Sequence, residues 1–177
     1  MNKLLIITTI DATFKYILKN QPKYLNHYFS VTVGSNNRLG LKEYAISKSL
    51  NYIHIPMNRK ISPFSDLKTI FYLSRALIKN KPDIIHSYTP KAGMVCAISG
   101  YLCRIPIRIH TFTGLIFPYR KSTIRYILSI IDSLICKLNT HIIAEGQGVK
   151  KLLLENKITN KNINIIGNGN IAGVDTK

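Results

Sequence analysis

The residues with the most chemical content arrive in short clusters. His86-Ser87-Tyr88-Thr89-Pro90-Lys91-Ala92-Gly93 joins an imidazole, three hydroxyls and an ammonium group to the start of a helical pattern. Amides at a helix N-terminus and a lysine together favour an anion. His110-Thr111-Phe112-Thr113-Gly114 sets a second imidazole close to a glycine. A ring that titrates near neutrality suits general-base work. In an extended strand His110 and Phe112 share one face, and Thr111 and Thr113 share the other. Either histidine reads equally well as a hydrogen-bonded core residue. Pro56-Met57-Asn58-Arg59-Lys60-Ile61-Ser62-Pro63 offers two adjacent cations for a phosphate or carboxylate, or a solvated basic loop. Asp11 ends the string Thr8-Thr9-Ile10-Asp11. Pro118-Tyr119-Arg120-Lys121 leads into an apolar stretch holding Arg125. Such a segment lies on an anionic membrane or serves as a crossover helix with a basic first turn.

These clusters need elements to hold them. Apolar and β-branched runs predict strands at 4–9, 27–33, 52–55, 84–87, 105–111, 141–144 and 163–166. Helical patterns fill 12–19, 41–50, 65–79, 92–102, 119–138 and 147–156. The first helix is expected to stop before Pro22. Leu67, Ile70, Phe71, Leu73, Ser74 and Leu77 predict a broad apolar face for the third. This alternation reads as α/β, a doubly wound, mostly parallel Rossmann-like sheet flanked by helices. Ligands of such sheets bind at the carboxyl ends of strands. Each cluster above follows a predicted strand there.

Composition narrows the partners. Lys and Arg number 25 against 8 for Asp and Glu, giving a net charge of +17. Anionic partners follow: nucleic acid, phospholipid or phosphate-bearing substrates. Abundant Lys, Asn and Ile also fit an AT-rich coding sequence, but that does not explain the scarcity of acids. No G-x-G-x-x-G, G-x-x-x-x-G-K-[ST] or G-x-S-x-G string occurs, which argues against dinucleotide, P-loop and serine-hydrolase chemistry. Cys96, Cys103 and Cys136 lack metal-ligand spacing and read as buried reduced thiols, so no metal site is expected. No run approaches the ~20 apolar residues of a membrane span. Asp11 interrupts the N-terminal apolar run, so no signal peptide is expected and the chain is placed in the cytoplasm.

Four strings together resemble family 4 glycosyltransferases of the capsular-polysaccharide and lipopolysaccharide type. They are the Pro56–Pro63 string, Lys81-Pro82-Asp83-Ile84-Ile85 running on through Gly93, Arg108-Ile109-His110 running on through Gly114, and Gly167-Asn168-Gly169-Asn170-Ile171-Ala172-Gly173-Val174-Asp175. The resemblance runs in register from the first strand to the tail. It implies the N-terminal half of a GT-B fold, with residues 1–167 as the acceptor-side domain and 168–177 opening the interdomain linker. Gly173-Val174-Asp175 would stand near the exit to a donor domain. The donor domain's E-x(7)-E motif has no counterpart in this chain, so that domain is expected to be absent and the chain inactive alone. The implied reaction moves a sugar from a nucleotide-sugar co-substrate to a lipid-linked saccharide, with no cofactor and no bound metal.

The resemblance also distributes roles. Acceptor-binding candidates are Asp11, Arg59, His86, Thr89, Lys91, Gly93 and Gly114. Many relatives carry a Thr-x-His-Gly pattern near the transferred sugar. Here Thr113 takes the histidine's place, and His110 lies three positions earlier; these two are the catalytic candidates. Arg120, Lys121 and Arg125 are the membrane and anion contacts of a protein peripheral to the inner face of the cell membrane. A non-catalytic acceptor- or membrane-binding subunit, paired with a separate donor-domain polypeptide, is the alternative. A basic nucleic-acid-binding domain is a further one, although no helix-turn-helix, zinc-finger or RRM pattern supports a specific nucleic acid.

Overall fold

The computed structural model describes residues 1–59 and 62–171. Seven strands form one sheet: β1 Lys3–Ile7, β2 Ser30–Ser35, β3 Asn51–His54, β4 Ile84–Tyr88, β5 Ile107–Phe112, β6 His141–Ala144 and β7 Ile163–Asn164. Their order is β3-β2-β1-β4-β5-β6-β7, and every pairing is parallel. The predicted doubly wound α/β class is what forms, with all rather than most strands parallel.

Alternation along the strands divides the core. Leu4, Ile6, Val31 and Val33 point to one face, where they meet Phe14, Leu18 and helix α2 (Arg38–Ser47) through Leu41 and Tyr44. Leu5, Ile7 and Ile85 point to the other. There Leu73 and Leu77 of α3 (Pro63–Asn80) and Val95 and Cys96 of α4 (Pro90–Leu102) cover them. A third cluster joins Phe112, Ile142 and Ile163 to Ile135 of α5 (Ser122–Leu138) and Leu153 of α6 (Gln147–Glu155). Each fully buried Leu, Ile or Phe contributes about 1.5–3 kcal/mol.

Several expectations move. Residues 12–19 form a π-helical segment, Thr13–Leu18. Pro22 does not follow a loop but sits in the first turn of a short helix, α1 Gln21–Leu25, where its missing N–H costs nothing. That helix displaces the second strand from 27–33 to Ser30–Ser35. Asn37 caps α2, its Oδ1 accepting from the Gly40 amide at 3.2 Å, so the helix starts earlier than 41. On α3 only part of the apolar face packs: Leu73 and Leu77 are buried, while Leu67 and Phe71 are exposed. Cys96 and Cys136 are buried and Cys103 is half-buried, all as free thiols. Among the described residues no helix is long and apolar enough to cross a membrane.

One buried acid belongs to the helix layer. Asp132 on α5 is 6% exposed, and burial pushes its carboxyl up to about 7. Its charge in turn helps burial to raise the Cys136 thiol, one turn on, to about 12. A carboxyl that ionises late in the folded chain and early in the unfolded one destabilises the fold as pH rises from about 4 through 7. Asp132→Asn is therefore expected to flatten that part of the pH–stability curve. Its gain above pH 7 should be about 1–2 kcal/mol, less than the full carboxylate penalty because a buried amide also needs partners. Urea titrations of both proteins between pH 4 and 8 read the effect; parallel curves would rule it out.

Candidate functional site

The order of the sheet reverses between β1 and β4, the kind of switch point at whose carboxyl-end crevice open parallel sheets bind their ligands. On the β1 side stand Thr8, Thr9 and Asp11. On the β4 side stand Thr89 and the first turn of α4. Thr89 joins the two sides: the Thr9 amide donates to Thr89 Oγ1 at 3.2 Å, and the two hydroxyls meet at 2.7 Å. Thr89 carries φ 71° and ψ 141°, unusual for a β-branched residue and worth about 1–3 kcal/mol of local strain. This conformation turns the chain sharply from β4 into α4. Pro90 holds the first helical position, and no side chain caps the helix start. The amide ends of α4 thus face the crevice with the positive end of the helix dipole.

Asp11 is nearly buried. Lys15 Nζ lies 3.6 Å from its Oδ2, and Glu43 shares the same ammonium group at 3.6 Å. The carboxylate packs directly on Gly40, where an added Cβ would sit 2.0 Å from Asp11 Oδ2. Asp11 therefore sets its carboxylate against α2.

Lys91, in the first turn of α4, turns to Asp66 on α3 and pairs with Oδ1; the two side chains are 9% and 8% exposed. Asp66 Oδ2 also accepts from the Ser62 amide at 3.3 Å, while the Asp66 amide donates to Ser62 O at 2.8 Å. One buried ion pair thus ties the start of α4 to the start of α3. It also neutralises much of the charge that Lys91 would offer an anion.

The two histidines take opposite faces of the sheet. His86 Nε2 lies 2.8 Å from Thr111 Oγ1, its ring stacks on Tyr88 at 4.3 Å, and Tyr88 Oη donates to Gln21 Oε1 at 3.3 Å. His110 is 1% exposed beneath α4. Its Nδ1 is 2.9 Å from Ser87 Oγ, and Phe112 meets its ring edge-on at 4.5 Å. Gly93 is the reason α4 can lie so close: a Cβ there would come within 2.4 Å of His110 Cε1. Burial lowers the pKa of both imidazoles to about 3, and for His110 the neighbouring His86 adds to it. Both rings are neutral at physiological pH. The enclosure of His110 fits a packing role better than proton transfer. His86 is buried with its ring nitrogen on the Thr111 hydroxyl, as the core alternative of the sequence reading would have it.

Thr113 and Gly114 lie past the end of β5, half-buried, with Gly114 at φ 130°. Arg59 is exposed beyond β3, two strands from β1, and Lys60 beside it lies outside the described residues. Arg120, Lys121 and Arg125 are exposed around the start of α5; Arg125 Nη2 donates to Asn156 Oδ1 at 3.1 Å. Ile116, Tyr119, Ile124, Tyr126 and Ile127 are exposed among them. The tail returns over the sheet. The Asn170 amide donates to Glu145 O at 2.5 Å, and Ile171 packs on the first core cluster. Gly173-Val174-Asp175 lies outside the described residues.

Asp11, Thr89 with the α4 start, and Thr113 with Gly114 therefore follow the carboxyl ends of the neighbouring strands β1, β4 and β5, while Arg59 follows β3, two strands from β1. Sequence reading did not single out Asp66, and it quoted Thr9 and Ser87 only as members of their strings. Asp66 carried a usable signal, an acid near a helix start in a chain poor in acids. Among the described residues no group of His, Cys, Asp and Glu is arranged to hold a metal ion.

A model of Glycosyltransferase Family 4 matches residues 25–170. The chain is 28% identical over 174 residues to the capsular polysaccharide biosynthesis glycosyltransferase CapM of Staphylococcus aureus, covering 97% of this chain and 45% of that protein. It is 25% identical over 147 residues to the UDP-Gal:alpha-D-GlcNAc-diphosphoundecaprenol alpha-1,3-galactosyltransferase of Escherichia coli, covering 81% of this chain and 38% of that protein. It thus spans less than half the length of these relatives. The crystal structure of Anabaena Alr3699/HepE with UDP and glucose superposes with a TM-score of 0.72 at 16% identity, over 96% of this chain and 45% of that one. That likeness concerns the fold.

Proposed function

Because the chain belongs to glycosyltransferase family 4, we propose that it is the acceptor-side domain of an enzyme that transfers a sugar from a nucleotide-sugar donor to a lipid-linked saccharide. The setting is surface polysaccharide assembly, at the inner face of the cell membrane. The E. coli relative's acceptor is a sugar on a lipid diphosphate. The observation that carries the reading is a juxtaposition. The uncapped start of α4 and the basic and apolar start of α5 follow the carboxyl ends of β4 and β5, so both lie at the same end of the sheet. A diphosphate would meet the α4 amides. Its lipid would lie along Ile116, Tyr119, Ile124 and Ile127. Arg120, Lys121 and Arg125 would face anionic headgroups. Asp11, Thr89, Thr113 and Gly114 would line the saccharide. The donor's contacts would come from a second domain, so the 177-residue chain is expected to bind acceptor without turnover.

Vesicle sedimentation tests the membrane part. Binding to phosphatidylglycerol vesicles should exceed binding to phosphatidylcholine. The triple variant R120Q/K121Q/R125Q should lower it by about two orders of magnitude, at roughly 1 kcal/mol per cation. Equal binding to both lipids, or an unaffected triple variant, would remove α5 from the membrane contact. Sugar transfer by the purified chain alone would overturn the assignment to the acceptor side.

A further inference from the structure

A second concavity lies at the other end of the sheet, where the strands begin. It is a groove of about 730 Å³ between α3 and the β1–β2–β3 side of the sheet. Its origin is in the strand pattern. On the face that α3 covers, β1 supplies apolar Leu5 and Ile7. The register sets Ser30 beside Lys3, and Thr32 beside Leu5 and Asn51. The apolar residues of β2, Val31 and Val33, serve the opposite face. α3 buries Leu73 and Leu77 and leaves the polar floor of β2 and β3 open.

The wall of the groove is basic and aromatic: Tyr72, Arg75, Ala76, Lys79 and Asn80 of α3. With Lys3 this makes three cations and no carboxylate among the lining residues. Asp83, at the turn into β4, accepts from the Lys3 amide at 2.7 Å, and Lys3 Nζ donates to Asn80 O at 3.2 Å, so Lys3 is held at the rim. The Arg75 guanidinium lies over the Phe71 ring at 5.7 Å. Half-buried Ser30 and Thr32 and exposed Asn51 offer hydroxyls and an amide along the floor.

We propose that this groove binds a phosphorylated sugar. The cations meet the phosphate through charge-assisted hydrogen bonds. The hydroxyl and amide groups of the floor match sugar hydroxyls, and Tyr72 offers a ring to the sugar's C–H surface. The site is separate from the crevice and does not depend on how the crevice is read. Its place at the strand starts leaves the carboxyl ends free for another ligand at the same time.

Amide-resolved NMR titration of the chain with glucose 1-phosphate, inorganic phosphate and glucose tests this. Glucose 1-phosphate should shift Thr32, Asn51, Tyr72 and Lys79 saturably, with a dissociation constant on the order of 1 mM. Phosphate should bind at least ~5-fold more weakly and glucose should produce no shifts, because each lacks half of the matched groups. The double variant R75Q/K79Q, at exposed helix positions, should lose at least ~10-fold in affinity. Asn51→Ala, at an exposed position of the edge strand, should weaken the sugar phosphate and leave phosphate unchanged. Equal affinity for phosphate would reduce the groove to an anion-attracting surface and overturn the proposal. Shifts confined to Thr9, Asp11 and Thr89 would overturn it too, as would undiminished binding by R75Q/K79Q.

Discussion

Replacing Lys91 by methionine should destabilise the chain by about 3–5 kcal/mol, the cost of leaving a buried charge without its partner. Lys91 and Asp66 are both more than nine-tenths buried and pair across the starts of α4 and α3. Methionine keeps the length of the lysine stem, so the loss is mainly of charge. Asp66→Leu in the same background should restore much of the stability, since two apolar groups fill the space without a desolvated charge. A double-mutant cycle by urea denaturation measures the coupling. If the single variants sum to the double, the pair is not the staple described here.

Gly93→Ala should cost about 3 kcal/mol, at the upper end of overpacking effects. The added Cβ would fall 2.4 Å from His110 Cε1 and 2.8 Å from Nδ1. The ring has little freedom to retreat, being 1% exposed, bonded to Ser87 and braced by Phe112. Helix α4 must instead lift from β4 and β5, carrying the start of the helix away from the crevice. In a His110→Ala background the same substitution should cost at least ~1 kcal/mol less, because the obstruction is gone. An unchanged cost would place the clash elsewhere.

These two residues show what the sequence could and could not tell. Alternation placed His110 with Phe112 and Thr111 with the opposite face, and both placements hold. It could not say which face lies under α4. That depends on where the crossover helix lands, and only the Gly93 contact decides it. The seven strands were legible because β-branched runs alternate with helical patterns, and family membership was legible from four strings together. The second strand was misplaced because Pro22 reads as a stop, whereas it opens a short helix. Leu67 and Phe71 read as core because periodicity marks an apolar stripe without saying how wide a face its neighbours cover. The Lys91–Asp66 pair spans two helices, and no local pattern announces such a contact.

The proposed seat of a lipid-linked acceptor is the switch point between β1 and β4. A short-chain, water-soluble polyprenyl diphosphate carrying N-acetylglucosamine is therefore titrated into the labelled chain. Amide shifts are expected at Thr9 and Asp11, at Thr89 through Ala92, and at Thr113 and Gly114, saturating together with a single affinity. Shifts restricted to the groove at the strand starts, or no shifts at ligand concentrations up to about 10 mM, weaker than any useful acceptor affinity, would contradict it.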